Sequence, residues 1–290
     1  MADISEAYEQ SLSKWSPDGK WVAGACGFRV TVRTMSNGPE DIENVRNNDQ
    51  DIDRNITLKL HECWTCVDKV DKLEWSADSQ YICCLIARRQ CAQIFSIEDH
   101  EWRCRIDEGL AGLVNCMWVP CARQILTVSE FQVKMSVWSL IDRSSIDLAP
   151  PKHPNKGLAF NANGEYLAVL SRKDCVDLLS IYGTETWELA QHVQLATDDA
   201  ADIAWAAHDT QFIVWDGPLH CRLMFYDIMG ECLHTVEPYT KQLGIRSLNF
   251  SPDGKMITMS CYDGKARIVN VLCGKVLKAL QHDAQQTPSG

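Results

Sequence analysis

No stretch of this chain approaches the roughly 18 consecutive apolar residues that a membrane-spanning helix requires, so none is expected. The opening residues, MADISEAYEQ, lack the basic-then-apolar pattern of a secretory signal, and the two absences together predict a cytosolic protein. Positive charge is scarce: 28 Lys and Arg stand against 39 Asp and Glu, a net charge of −11. Such a field repels nucleic acid and anionic lipid, which excludes both as partners unless a local basic patch outweighs it. Familiar catalytic signatures are missing too. There is no His-x-x-x-His pair, Gly-x-Ser-x-Gly, phosphate loop or dinucleotide fingerprint, and no segment repeats its apolar residues at helical spacing.

Cysteine is plentiful, with 14 residues, but they sit in apolar strand-like runs such as YICCLIA. There a reduced thiol serves as a small buried hydrophobe. HECWTC, His61 to Cys66, is the best-looking metal or redox candidate. It lacks the second ligand pair of a structural zinc site and the βαβ setting of a redox motif, so it reads as an ordinary strand-end pair of thiols. Cys83 and Cys84 are adjacent in a strand and must point to opposite faces. No metal, cofactor, small-molecule substrate or catalytic residue is expected.

What the chain does have is a repeat. KWSPDGKWVA begins at Lys14 and returns as NFSPDGKMIT at Asn249, with weaker copies between. Their shared aromatics stand at Trp15, Trp75, Trp118, Phe160, Trp205 and Phe250, in steps of 60, 43, 42, 45 and 45 residues. Within each copy, short alternating apolar segments are separated by Gly, Asp, Asn and Ser, the pattern of strands and tight turns. The last copy reads as RSLNF, KMITMS, KARIVN and KVLKAL, with SPDG and the YDG of Tyr262 to Gly264 as turns. Four antiparallel strands every ~40–45 residues is the spacing of a β-propeller blade. The fold class is therefore all-β, a propeller of six four-stranded blades in a single domain over 1–280. Its repeats fall near 10–60, 70–106, 114–148, 157–193, 202–236 and 246–280.

The long first step comes from an insertion, residues 39–55, with six acidic and two basic residues and almost no apolar ones. It is expected to be a disordered loop, and 281–290 a frayed tail. Third strands end at Phe95, Trp138, Tyr182, Tyr226-Asp227 and Val269-Asn270, whereas the one literal Trp-Asp, Trp215-Asp216, falls at the end of a second strand. Arg88-Arg89 and Arg172-Lys173 occupy the same phase of the second and fourth copies. With Asp174 and Tyr262 they are the candidate partner-binding residues, on one rim.

Several stretches, among them EWRCRIDEGLAGLV, RKDCVDLLSIYGTETWEL, FIVWDG and LGIRSLNFSPDGKMITMSCYDGKARIVN, resemble the WD repeat-containing protein 8 family of the centrosome and spindle pole. The resemblance implies a non-catalytic scaffold. It would act with a coiled-coil anchoring protein and a minus-end-directed kinesin to hold microtubule minus ends and support spindle and cilium assembly. Family members carry further repeats, so the chain is expected to form an open or incomplete propeller and to be a truncated or split product. The alternative is a WD-repeat substrate receptor of a ubiquitin ligase or another generic adaptor. That reading predicts Trp-Asp-x-Arg at the end of a third strand, yet Ser-Leu-Ile follows Trp138 and Ile-Met follows Tyr226-Asp227.

Overall fold

The computed structural model describes residues 12–35, 58–120, 123–206, 211–217, 219–237, 244–251 and 253–281. The N-terminal DISEAYEQ, the acidic insertion at 39–55 and nearly all of the 281–290 tail lie outside them. Among the described residues, twenty-four strands form six four-stranded antiparallel sheets. The first holds β1 (Ser13–Trp15), β2 (Trp21–Cys26), β3 (Arg29–Met35) and β4 (Leu58–Thr65), and the second β5 (Lys72–Trp75), β6 (Tyr81–Ile86), β7 (Cys91–Ser96) and β8 (Arg103–Asp107). The third holds β9 (Asn115–Trp118), β10 (Gln124–Val128), β11 (Met135–Ser139) and β12 (Ser145–Leu148). The fourth holds β13 (Leu158–Phe160), β14 (Tyr166–Lys173), β15 (Val176–Gly183) and β16 (Leu189–Gln194). The fifth holds β17 (Ala200–Trp205), β18 (Gln211–Asp216), β19 (Leu223–Asp227) and β20 (Cys232–Val236), and the sixth β21 (Ile245–Phe250), β22 (Met256–Cys261), β23 (Lys265–Asn270) and β24 (Val276–Gln281). Each sheet runs in simple sequence order. These are the expected blades of a WD-repeat propeller fold.

The chain divides into two compact units, Met1–Phe131 with Ser136–Ser145, and Gln132–Met135 with Ile146–Gly290. In the first, β6 is buried on both faces. Ile82, Cys84 and Ile86 pack with Val30, Val32 and Trp64 of the first sheet, while Cys83 and Leu85 pack with Cys116, Trp118 and Ile125 of the third. Side chains that alternate along a strand thus fill two cores. In the second unit, β18 does the same: Phe212 and Val214 join the core with the fourth sheet, Ile213 and Trp215 the core with the sixth.

The recurring turn has a simple chemistry. Ser16 donates its hydroxyl to Asp18 Oδ1 at 2.6 Å, that oxygen accepts the Lys20 amide, and Ser16 Oγ accepts the Trp21 amide at 2.9 Å. The same three bonds form around Ser76 and Asp78, and around Ser251 and Asp253. The serine hydroxyl occupies the place of a backbone group and locks the hairpin. Gly19 and Gly254 adopt φ of +72° and +66° in this turn, whereas the second sheet places Ser79 there at +60°.

Three of the recurring aromatics pack between sheets as the repeat predicts. Trp75, Trp118 and Trp205 are each 8% exposed. Trp15 departs from this at 57% exposure; within its unit no described strand precedes β1 to cover it.

Candidate functional site

The basic pairs selected from the sequence have different fates. Arg88 and Arg89 form the end of a 3-10 turn, Ala87–Arg89, between β6 and β7. Both side chains are well exposed over Asp68, with Arg89 Nε 3.0 Å and Arg88 3.9 Å from its carboxylate. The Lys69 amide, aided by the two guanidinium groups, holds Asp68 below the usual carboxylate range. This is an exposed basic surface in the first unit.

Arg172 belongs to the second unit and is consumed by structure. Its NH1 contacts Asp177 Oδ1 at 3.1 Å and Asp199 Oδ1 at 2.7 Å, and its NH2 donates to the carbonyls of Cys175 and Asp198. Lys173, the last residue of β14, and Asp174, in the turn to β15, are exposed, and Asp174 and Cys175 both take positive φ there, +50° and +63°. Two successive left-handed residues fit the right-handed twist of a hairpin. Tyr262 is half-exposed in the turn between β22 and β23. Beside it Asp263 is clamped by Arg267 at 2.6 and 3.1 Å. That guanidinium holds Asp263 below its ordinary value, and the carboxylate pushes Arg267 up in return.

Asp177 anchors the rim of the second unit. Its buried carboxylate accepts bonds from Lys152 Nζ (3.0 Å), Arg172, Thr197 Oγ1 (2.8 Å) and the Ala200 amide (2.6 Å). Burial alone would raise its pKa, but the Ala200 amide, Lys152 and Thr197 overcome that and keep it lowered. Lys152 also bonds Asp199 and the Ala200 carbonyl. A network satisfied on all sides rigidifies a site rather than opening it to a ligand.

In the first unit, a cleft of about 480 Å³ runs between β8 and β11, lined by Trp102, Arg103, Arg105, Trp138 and Arg143 among others. Arg105 pairs with Asp107 at 3.0 Å. The Trp138 indole is fixed from behind, donating to buried Glu108 at 2.7 Å, as Thr127 does at 2.6 Å. Two indoles beside three guanidinium groups form the surface best suited to an acidic segment. Residue spacing alone does not reveal this cleft. Its one sequence signal is the run Trp102-Arg103-Cys104-Arg105, where alternation turns both arginines outward.

The thirteen described cysteines are all free. In the HECWTC segment Cys63 is exposed and Cys66 buried, and the His61 ring packs tilted against Trp21 at 4.4 Å between centroids. Cys84 packs with Cys66 in one core, while Cys83 faces the other way to Cys116, sulfur to sulfur at 3.6 Å. Sharing a proton with Cys116, together with full burial, pushes the Cys83 thiol up. Among the described residues one group brings three possible metal-ligating atoms within 4.8 Å of one another: Asp198, Asp216 and His220.

Residues 220–288 match the family model described as the anaphase-promoting complex subunit 4 WD40 domain. Mouse WD repeat-containing protein WRAP73 is 34% identical over 284 residues, covering 97% of this chain and 57% of the relative. An uncharacterised WD repeat-containing protein of Schizosaccharomyces pombe is 25% identical over 244 residues, covering 80% of this chain and 50% of that protein. The chain spans about half the length of the curated relatives it matches. Six four-stranded sheets with recurring serine–aspartate turns, joined to these similarities, give the chain the repeat architecture of WD-repeat proteins.

Proposed function

We propose that the chain is a non-catalytic protein-interaction scaffold of the centrosome or spindle pole. In this reading it helps a coiled-coil anchoring protein and a minus-end-directed kinesin hold microtubule minus ends, and supports spindle and cilium assembly. The observation that carries it is the ordered set of stretches, from WRCRIDEG through VWDG to the final SPDG repeat, that resembles a centrosomal WD-repeat family. The similarity to mouse WRAP73 through 97% of the chain supports the same reading. The binding surface is the cleft of Trp102, Trp138 and the three arginines. On a chain of net charge −11, a local cationic cleft selects an acidic segment while the overall field rejects polyanions.

The tagged chain, expressed in cells and isolated under mild conditions, is expected to bring down a coiled-coil centrosomal protein and a kinesin and to lie at spindle poles. Diffuse distribution with neither class recovered overturns the proposal.

A further inference from the structure

Asp216, of the out-of-phase Trp-Asp, ends β18 with no solvent exposure. Among the described residues, no protein group meets either of its carboxylate oxygens in good hydrogen-bond geometry; burial pushes its pKa up, and the Arg222 guanidinium and the Asp199 amide offset that only in part. The nearest cation, Arg222 Nε, stands 3.5 Å from Oδ2. Asp263, at the matching turn of the sixth sheet, shows how such a carboxylate is ordinarily settled, with Arg267 on both oxygens. Burying a carboxylate without donors is costly, so a site that keeps one is built for a ligand that can meet it.

We propose that Asp198, Asp216 and His220 form a binding site for a first-row divalent cation. The three residues come from different segments: Asp198 from the loop between β16 and β17, Asp216 from the end of β18, and His220 from the loop leading to β19. Their ligand atoms nonetheless all lie within 4.8 Å of one another. Donors bound about 2.0–2.2 Å from a shared ion stand roughly 3–4 Å apart, so a small inward movement closes the set. The His220 loop is well seated to receive it. Its amide bonds the Gly217 carbonyl, and the Gly217 amide bonds Asp199. Gly244 packs so closely that a Cβ there would stand 2.5 Å from the Gly217 oxygen and 2.6 Å from that of His220.

The local charge is right for a dication. Arg222 alone faces Asp198 (2.7 Å), Asp216 (3.5 Å) and Glu237 (3.5 Å), an excess of two negative charges. Neighbouring Asp199 adds nothing, since it and Asp177 are balanced by Lys152 and Arg172. When an ion takes Asp198 and Asp216, Arg222 keeps Glu237 and the Ala196 carbonyl. One imidazole with two carboxylates suits zinc, cobalt or manganese better than magnesium or calcium, which favour all-oxygen sites.

Cobalt(II), titrated into chelator-stripped protein, tests the site with a readout that separates it from the many thiols. One equivalent is expected to give the weak visible bands of a nitrogen–oxygen site without an intense thiolate-to-cobalt band. Asp216→Asn and His220→Ala are each expected to weaken binding tenfold or more. Asp216→Asn removes a buried charge that Arg222 meets only at 3.5 Å, so the metal-free variant should melt no lower than the parent. His220 is exposed, so its variant folds regardless. Absence of saturable binding, a thiolate-type spectrum, or affinity unchanged in both variants overturns the proposal.

Discussion

The indole Nε1 of Trp118 donates a hydrogen bond of 3.2 Å to the backbone carbonyl of Glu74, the residue just before the equivalent tryptophan of the preceding sheet. Trp75 makes the same bond to Lys14 at 3.0 Å, and Trp205 to Ala159 at 2.9 Å. These three inner-strand tryptophans are thus tied to the same point of their neighbours. Phe160 and Phe250 hold the equivalent positions without a donor, and both are only half-buried. Trp118→Phe should cost about 1 kcal/mol, the net worth of a neutral hydrogen bond. Trp118→Ala should cost about 3–5 kcal/mol through the cavity it leaves. Urea unfolding of the two variants separates the contributions, and equal losses would mean the bond carries the contact.

Much of this was legible in the sequence because the determinants are local. Alternation in YICCLI already sends Cys83 and Cys84 to opposite faces, and the structure seats them in two different cores. The phase of Trp215-Asp216 likewise placed it at the end of the second strand, where β18 ends. The fates of the charged residues were not legible, since they depend on partners set by tertiary packing. Arg172 meets Asp199, 27 residues away, across a loop that no spacing rule reaches. The cluster of Asp198, Asp216 and His220 was hidden for the same reason. The aromatic–arginine cleft was hidden because its two walls come from different sheets.

Acid should act through Asp177. Its pKa in the folded protein lies below the ordinary value of about 3.9, held there by the Ala200 amide and Lys152 against the effect of burial. The ionised group therefore stabilises the fold above that ordinary value, and the contribution fades as pH falls through the folded pKa. At pH 7, Asp177→Ala should cost about 1–3 kcal/mol by leaving the Thr197 hydroxyl and the Ala200 amide without their acceptor, while Lys152 keeps Asp199. Denaturant curves taken at neutral pH and again well below pH 4 should show the gap between parent and variant narrowing.

Two glycines with positive φ should respond differently to alanine. Gly19 has φ of +72° but open space where a Cβ would stand, so Gly19→Ala should cost only the conformational term, about 1 kcal/mol. At Gly230, φ is +87° and a Cβ would drive into the Val193 side chain on β16. Overpacking there should add about 1–3 kcal/mol. Val193→Ala in the Gly230→Ala background should recover part of that loss, as differential melting of the four proteins would show.

The cleft between β8 and β11 makes the most direct demand on the scaffold reading. Arg103 and Arg143 are exposed on its walls and have no carboxylate within ion-pairing distance among the described residues, while Arg105 is already paired with Asp107. Free guanidinium groups beside the Trp102 indole should attract an acidic partner segment through both charge and stacking. Reversing Arg103 and Arg143 to Glu should weaken binding of an acidic coiled-coil peptide tenfold or more and flatten its salt dependence, because exposed pairs are screened beyond about 10 Å at 0.1 M salt. Trp102→Ala should weaken it while leaving the salt dependence intact, since it removes stacking and no charge. Trp138 is better left alone, because its bond to Glu108 belongs to the core. Indole fluorescence during peptide titration at two ionic strengths reads all three effects, and unchanged affinity in the double reversal would remove the cleft as the binding surface.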